Sequence, residues 1–177
     1  MVFFCTIGSV VSNKIGMKWA LVIGTMGYAP YAAGLYTNKV FGTEWFVLFG
    51  AALCGISAGI FWSVEGAIIL GYPEAAKRGM YLAVWLAFKS GGQVLGGVIN
   101  VALNSKSGKA GSVSSNTYLV FISLQCVAPL FALLLSEPHK VQRVDRTPVL
   151  VGTSKLGWSK ELGQVWTVFK RKEVLCL

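Results

Sequence analysis

Four stretches of this chain are apolar, nearly free of charge and long enough to cross a hydrocarbon layer as helices: Trp19 to Tyr36, Trp45 to Leu70, Met80 to Leu103 and Tyr118 to Leu135. The layer is ~30 Å thick and a helix rises about 1.5 Å per residue, so about 20 residues suffice. The opening run, Met1 to Val11, would reach only ~16 Å on the same scale and is read as part of a helix. Val174 to Leu177 reads as the first residues of a further apolar segment, so both ends look truncated relative to a whole bundle. The fold class that follows is all-α: a polytopic transmembrane bundle of about four full spans plus a partial one.

Composition agrees. Only 13% of the 177 residues are charged and 54% are hydrophobic, where soluble domains carry about 25% charged. The net charge of +9 would suit a nucleic-acid partner if it covered one surface. Instead the basic residues lie between and after the apolar runs, so the partner is a lipid bilayer and not a nucleic acid.

The same residues set an orientation, because cytoplasmic loops hold the excess of Lys and Arg. Lys14 and Lys18 precede the first full span and Lys77 and Arg78 separate the second from the third. After Leu135 come Lys140, Arg143, Arg146, Lys155, Lys160, Lys170, Arg171 and Lys172. Only Lys39, Lys106 and Lys109 occupy the alternate loops. The chain therefore divides into a bundle over residues 1–136 and a cytoplasmic basic loop over residues 137–177. In that loop Trp158, Leu162, Val165, Trp166 and Phe169 recur at helical spacing, a pattern that suits either a helix in the headgroup plane or packing against a neighbouring segment.

One loop carries a motif. Gly8-Ser-Val-Val-Ser-Asn-Lys-Ile-Gly-Met-Lys18 resembles the loop between the second and third helices of the major facilitator superfamily, which has a small residue, three spacers, Asp-Arg, one spacer, Gly and two basic residues. Ser9 takes the small position, Asn13 and Lys14 stand where Asp-Arg is usual, Gly16 is in place, and Lys18 remains of the final basic pair. With the Gly-Tyr-x-Pro-Tyr turn at Gly27 to Tyr31, Trp62-Ser-Val-Glu-Gly66, Tyr72-Pro-Glu and Lys140-Val-Gln-Arg-Val-Asp145, nearly the whole chain resembles the fungal branch of the uncoordinated-ninety-three-like family, a subgroup of that superfamily. The resemblance implies a major-facilitator-like N-terminal half: the four spans are its third to sixth helices, the tail joins two six-helix halves, and the first helix and second half are missing. It brings no established substrate.

Two charges fall inside spans, Glu65 and Lys89, and each costs at least ~2.5 kcal/mol at bilayer depth. They stand ~9 Å and ~15 Å from the cytoplasmic end on antiparallel neighbours, so pairing is within reach of a lysine stem. Around the Met80 to Leu103 helix, Trp85, Lys89, Gly92, Gln93, Gly96 and Asn100 share one arc of about 100°. Such a face looks at protein or water, so Trp62, Glu65, Trp85, Lys89, Gln93 and Asn100 are either pathway-lining or helix-pairing residues. Gly55 with Gly59 and Gly92 with Gly96 form GxxxG pairs that allow close helix approach. Tyr28, Tyr31, Tyr36 and Trp45 read as interface anchors.

Other chemistry finds little footing. Cys5, Cys54, Cys126 and Cys176 are scattered and read as packed thiols, and the single His139 reads as a solvated loop residue, so no metal or cofactor is implied. No nucleophile elbow and no phosphate loop occurs, so an enzyme is not expected. Three functions compete: a secondary transporter moving a small solute or ion, a non-transporting regulatory or scaffold subunit binding another membrane protein, and an inactive transporter fragment.

Overall fold

The computed structural model describes residues 2–105, 113–143, 146–149, 160, 163 and 167. Among the described residues the helices run in the order α1 (Val2–Ile15), α2 (Met17–Met26), α3 (Tyr28–Phe41), α4 (Glu44–Gly71), α5 (Arg78–Asn104) and α6 (Ser115–Leu133). Short 3-10 turns at Ala75–Lys77 and Pro138–Lys140 precede α5 and follow α6. No strand occurs among the described residues. α4, α5 with its leading turn, and α6 are each long and apolar enough to cross a membrane, and the chain is an integral membrane protein. The amphipathic positions Trp158, Leu162, Val165, Trp166 and Phe169 lie outside the described residues.

The first expected span, Trp19 to Tyr36, is not one uninterrupted helix. It breaks at Gly27 into α2 and α3, of 10 and 14 residues. Pro30, in the first turn of α3, has no amide hydrogen for the Met26 carbonyl and crowds it with its ring, which interrupts a helix one turn earlier. Laid end to end the two pieces still reach about 37 Å. The partial helix runs further than expected, to Ile15, and stops at Gly16, whose φ of 93° suits a residue without a Cβ. Gly42 closes α3 in the left-handed region, φ 68°, with its amide donating to the Asn38 carbonyl at 2.8 Å.

α4 is the centre of the bundle. α1, α2 and α3 pack along it, α6 lies against α2 and α3, and α5 touches α4 and α6. Met17, Ala20, Ile60 and Val64 form the core, with Val64 and Ala20 fully enclosed. Close approach comes from glycines facing backbone: a Cβ on Gly24 would stand 2.9 Å from the Phe61 backbone, one on Gly50 2.9 Å from that of Tyr31, and one on Gly8 3.0 Å from that of Ile60. Of the GxxxG glycines, Gly59 is buried and its carbonyl lies 3.0 Å from where a Cβ on Gly8 would stand. Gly55 and Gly92 face open space and Gly96 meets only the Phe121 ring at 3.9 Å, because those faces of α4 and α5 are turned away from their neighbours.

Beyond the Gly71 end of α4 the chain folds back on itself. Arg143 donates from Nε to the Tyr72 carbonyl at 3.0 Å and from Nη2 to the Gly71 carbonyl, so its guanidinium caps the carbonyl end of α4. The Tyr72 hydroxyl donates to the Ser136 carbonyl at 3.0 Å. These bonds fasten the segment after α6 across the α4–α5 turn.

Candidate functional site

Two pairs of residues at helical spacing build the site. Trp62 and Glu65 are three apart on α4, Trp85 and Lys89 four apart on α5, and such neighbours share a helix face. The short turn through Pro73 and Glu74 makes the two helices an antiparallel pair, which brings the faces together. Side chains on a helix lean towards its N-terminus, so Lys89 reaches back over Trp85 towards the Gly79 end.

The Trp85 indole Nε1 donates to Glu65 Oε1 at 2.7 Å. The Lys89 ammonium lies 4.8 Å from the centroid of the same ring and 4.5 Å from that of Trp62. An indole has a positive edge and a negative face, so Trp85 offers its edge to the anion and its face to the cation. The expected direct pairing of Glu65 with Lys89 is therefore not what forms: no salt bridge joins them, and the indole accommodates both charges instead. Glu65 Oε2 is enclosed and has no hydrogen-bond partner. Trp62 is 38% exposed and Lys89 is exposed, so the cationic side of the cluster is open.

The other expected residues part company here. Gln93, one turn beyond Lys89, is exposed. Asn100 serves the far end of the bundle, where its carbonyl and Oδ1 accept from Asn104 Nδ2 at 2.8 and 2.6 Å. Asn104 Nδ2 also lies 3.1 Å from Thr117 Oγ1, which joins α5 to α6. Both Asn100 bonds stay within α5, and the link to α6 is made by Asn104.

Trp85 also borders a cavity of about 590 Å³ at the Gly71 end, with Ile68, Ile69, Tyr72, Tyr81 and Val84 among its walls and Arg143 at its rim. Sequence reasoning missed it. Tyr81 lies four residues before Trp85 and continues the stripe towards the helix start, a signal that was available; the contribution of residues after α6 was not.

The motif lies elsewhere and is not a loop: Ser9, Asn13 and Lys14 belong to the last turns of α1, Lys18 belongs to α2, and only Gly16 stands between the two helices. Ser9 accepts a hydrogen bond at its carbonyl from Ser12 Oγ at 2.8 Å, Asn13 is half-buried, Lys14 exposed, and Gly16 makes the turn. Lys18 lies close enough to Glu137, after α6, to bear on its ionisation. Glu137 is held below the ordinary carboxylate range chiefly by its bond to Lys140, with His139 and Lys18 adding to the effect. The carboxylate sits 3.0 Å from Lys140 and 3.4 Å from the His139 imidazole, which is exposed as expected. Burial, with Glu137 second, pushes the Tyr72 hydroxyl up. Of the thiols expected to be packed, Cys54 is half-buried, but Cys126 is exposed on the outer side of α6; the side chains of Cys5 and Cys176 lie outside the described residues.

Comparison with known proteins gives a consistent picture. The model of the Major Facilitator Superfamily matches residues 1–177. The chain is 42% identical over 99% of its length to the Notoamide biosynthesis cluster protein O' of Aspergillus versicolor, covering 38% of that protein. It is 36% identical over 94% of its length to an UNC93-like protein of Schizosaccharomyces pombe, covering 33% of it, and 31% identical over 80% to UNC93-like protein 1 of Arabidopsis thaliana, covering 31%. The chain thus spans about a third of the length of these relatives. No solved structure matches it.

Proposed function

The chain belongs to the major facilitator superfamily, and from that premise we propose that it serves a secondary transporter that moves a small organic solute along the groove between α4 and α5. The supporting observation is the cluster of Trp62, Glu65, Trp85 and Lys89, two charges and two indoles held together within the spans of a membrane protein and open on one side. Charges at that depth are costly and are by default functional candidates. The name of the Aspergillus relative puts that protein in a biosynthesis cluster, which fits an organic solute better than an inorganic ion. In this reading the chain works by alternating access, catalyses no covalent chemistry, and has the Gly71 end, with the segment after Ser136, in the cytoplasm.

The test is access to Gln93. With the four native cysteines replaced, Gln93→Cys should react with a membrane-impermeant thiol reagent from both sides of the membrane. Reaction from one side only, or from neither, refutes the pathway.

A second reading, a non-transporting regulatory or scaffold subunit, draws support from α5. It buries no residue and exposes Phe88, Val94 and Leu95, a face that suits a membrane-protein partner as well as lipid. In that case Gln93→Cys stays unreactive from both sides and crosslinks to the partner.

A further inference from the structure

We propose that the groove between α4 and α5 binds organic monoanions with a planar apolar body, the carboxylate on the Lys89 ammonium and the body along Trp62, Trp85 and Tyr81. The inference rests on the pathway reading above and names its class of solute.

The first argument is hydrogen bonding. An ammonium carries three N–H donors, and indole faces attract its charge without giving an oxygen acceptor in return. Among the described residues none accepts a hydrogen bond from Lys89. The second is charge. Glu65 is the other charge within the spans near Lys89, and it is committed: Oε1 takes the Trp85 N–H and Oε2 is enclosed. The counter-charge that Lys89 lacks among the described residues is one that a ligand can bring, as a charge-assisted hydrogen bond.

Shape supplies the rest. Lys89, Trp85 and Tyr81 succeed one another at intervals of four along one face of α5, and the cavity of about 590 Å³ begins where Trp85 does. That volume suits a small organic ligand, for which pockets of about 300–1,000 Å³ are usual. Its walls near Trp85 are flat aromatics and branched aliphatics. A cationic solute fits poorly, because Lys77 and Arg143 line the cavity beside Lys89, and Glu74, the acid bordering it, lies 3.1 Å from Lys77.

The experiment uses three probes with one body: naphthoate, naphthylmethylammonium and naphthalenemethanol. Each is titrated by calorimetry into the chain in phosphatidylcholine nanodiscs, with empty nanodiscs subtracted. Naphthoate should bind saturably and more tightly than the other two. Lys89→Met should weaken it by about tenfold to a hundredfold, the value of a hydrogen bond to a charged group. Lys89→Arg, which keeps the charge and donors, should stay within severalfold and guards against a folding artefact. Tighter binding of the ammonium probe, equal binding of all three, or naphthoate affinity untouched by Lys89→Met overturns the proposal. The accessibility of Gln93→Cys separates the two readings: reactive from both sides without naphthoate binding, the pathway stands and the anion site falls. Naphthoate binding with Gln93→Cys unreactive leaves an anion site that is not on a pathway.

Discussion

The contact that most directly holds α5 to α4 is the bond from the Trp85 indole to Glu65, and its worth can be isolated. Trp85→Phe removes the N–H but leaves a ring for Lys89 to lie on. What is lost is a 2.7 Å hydrogen bond to a carboxylate whose other oxygen is already enclosed and unpartnered. Bonds to charged groups contribute about 1.5–3 kcal/mol, and the weaker cation–π attraction of Phe adds less than about 1 kcal/mol, so the loss should be about 2–4 kcal/mol. Glu65→Met leaves a half-buried indole N–H without its acceptor and should cost about 1–2 kcal/mol.

Because the two changes remove the same bond, the double variant should lose less than the two single losses together, with a coupling of about 1–3 kcal/mol. Unfolding of the detergent-solubilised chain by titrated dodecyl sulfate, followed by circular dichroism, supplies the four free energies of the cycle. Glu65→Gln keeps an acceptor and should be the mildest change at that position. Losses that add to within about 0.5 kcal/mol would show that the two residues do not act on each other, and the geometry argued for the cluster would be wrong.

Gly24→Val should destabilise by about 1–3 kcal/mol, the usual cost of overpacking, since even a Cβ there meets the Phe61 backbone at 2.9 Å, whereas Gly55→Ala should be neutral or slightly stabilising in the same titration. Arg143→Ala uncovers the carbonyls of Gly71 and Tyr72 and should raise proteolysis of the segment after Ser136, with Arg143→Lys intermediate. For topology, impermeant thiol labelling of intact cells should reach Ser112→Cys and not Ser154→Cys, and the reverse pattern would invert the proposed orientation. Glu137 has a lowered folded pKa, so its contribution is present above the unfolded carboxylate value and fades as pH falls through the folded one. Glu137→Gln should therefore lower stability slightly at neutral pH, flatten the acid limb of a stability–pH curve, and converge with the unsubstituted chain below the folded value.

How much of this could be read from residues alone depended on the range of the interaction. Apolar run length finds α4, α5 and α6 to within two residues at each boundary except the start of α6, where the helix begins at Ser115, three residues before Tyr118, capped by the Ser114 side chain. It could not find the break at Gly27, because hydropathy is blind to the amide that Pro30 lacks. The stripe on α5 followed from periodicity, and with it Trp85 and Lys89. Trp62 and Glu65 on α4 stood among the candidates as well, but which α5 side chain each would meet depended on the rotation of one helix about the other, which no periodicity contains. For the same reason the Trp85–Glu65 bond displaced the expected ion pair: charge predicts that Glu65 and Lys89 attract, but only geometry reveals the indole set between them. Arg143 was read as one of many topological charges, and its distance in sequence from Gly71 hid its role as a cap.

The bundle is held by contacts of two kinds, and their distribution bears on how it works. α1, α2 and α3 meet α4 through glycines that bring backbone against backbone, contacts that tolerate no sliding because a shift of one residue would put side chains where there is no room. α5 has none of these. It is joined to α4 by an indole edge, a carboxylate and an ammonium lying on rings, and to α6 by the Asn104 and Thr117 side chains at the far end. Long side chains can swing while keeping such bonds, and an ammonium over a ring has a broad minimum rather than a fixed partner. The groove proposed for the solute thus lies between a helix packed backbone against backbone and one joined to it by side chains, with Lys89 on the latter. A ligand carboxylate that holds Lys89 off the indoles would weaken the very contact that keeps α5 against α4. Binding and movement would then be the same event.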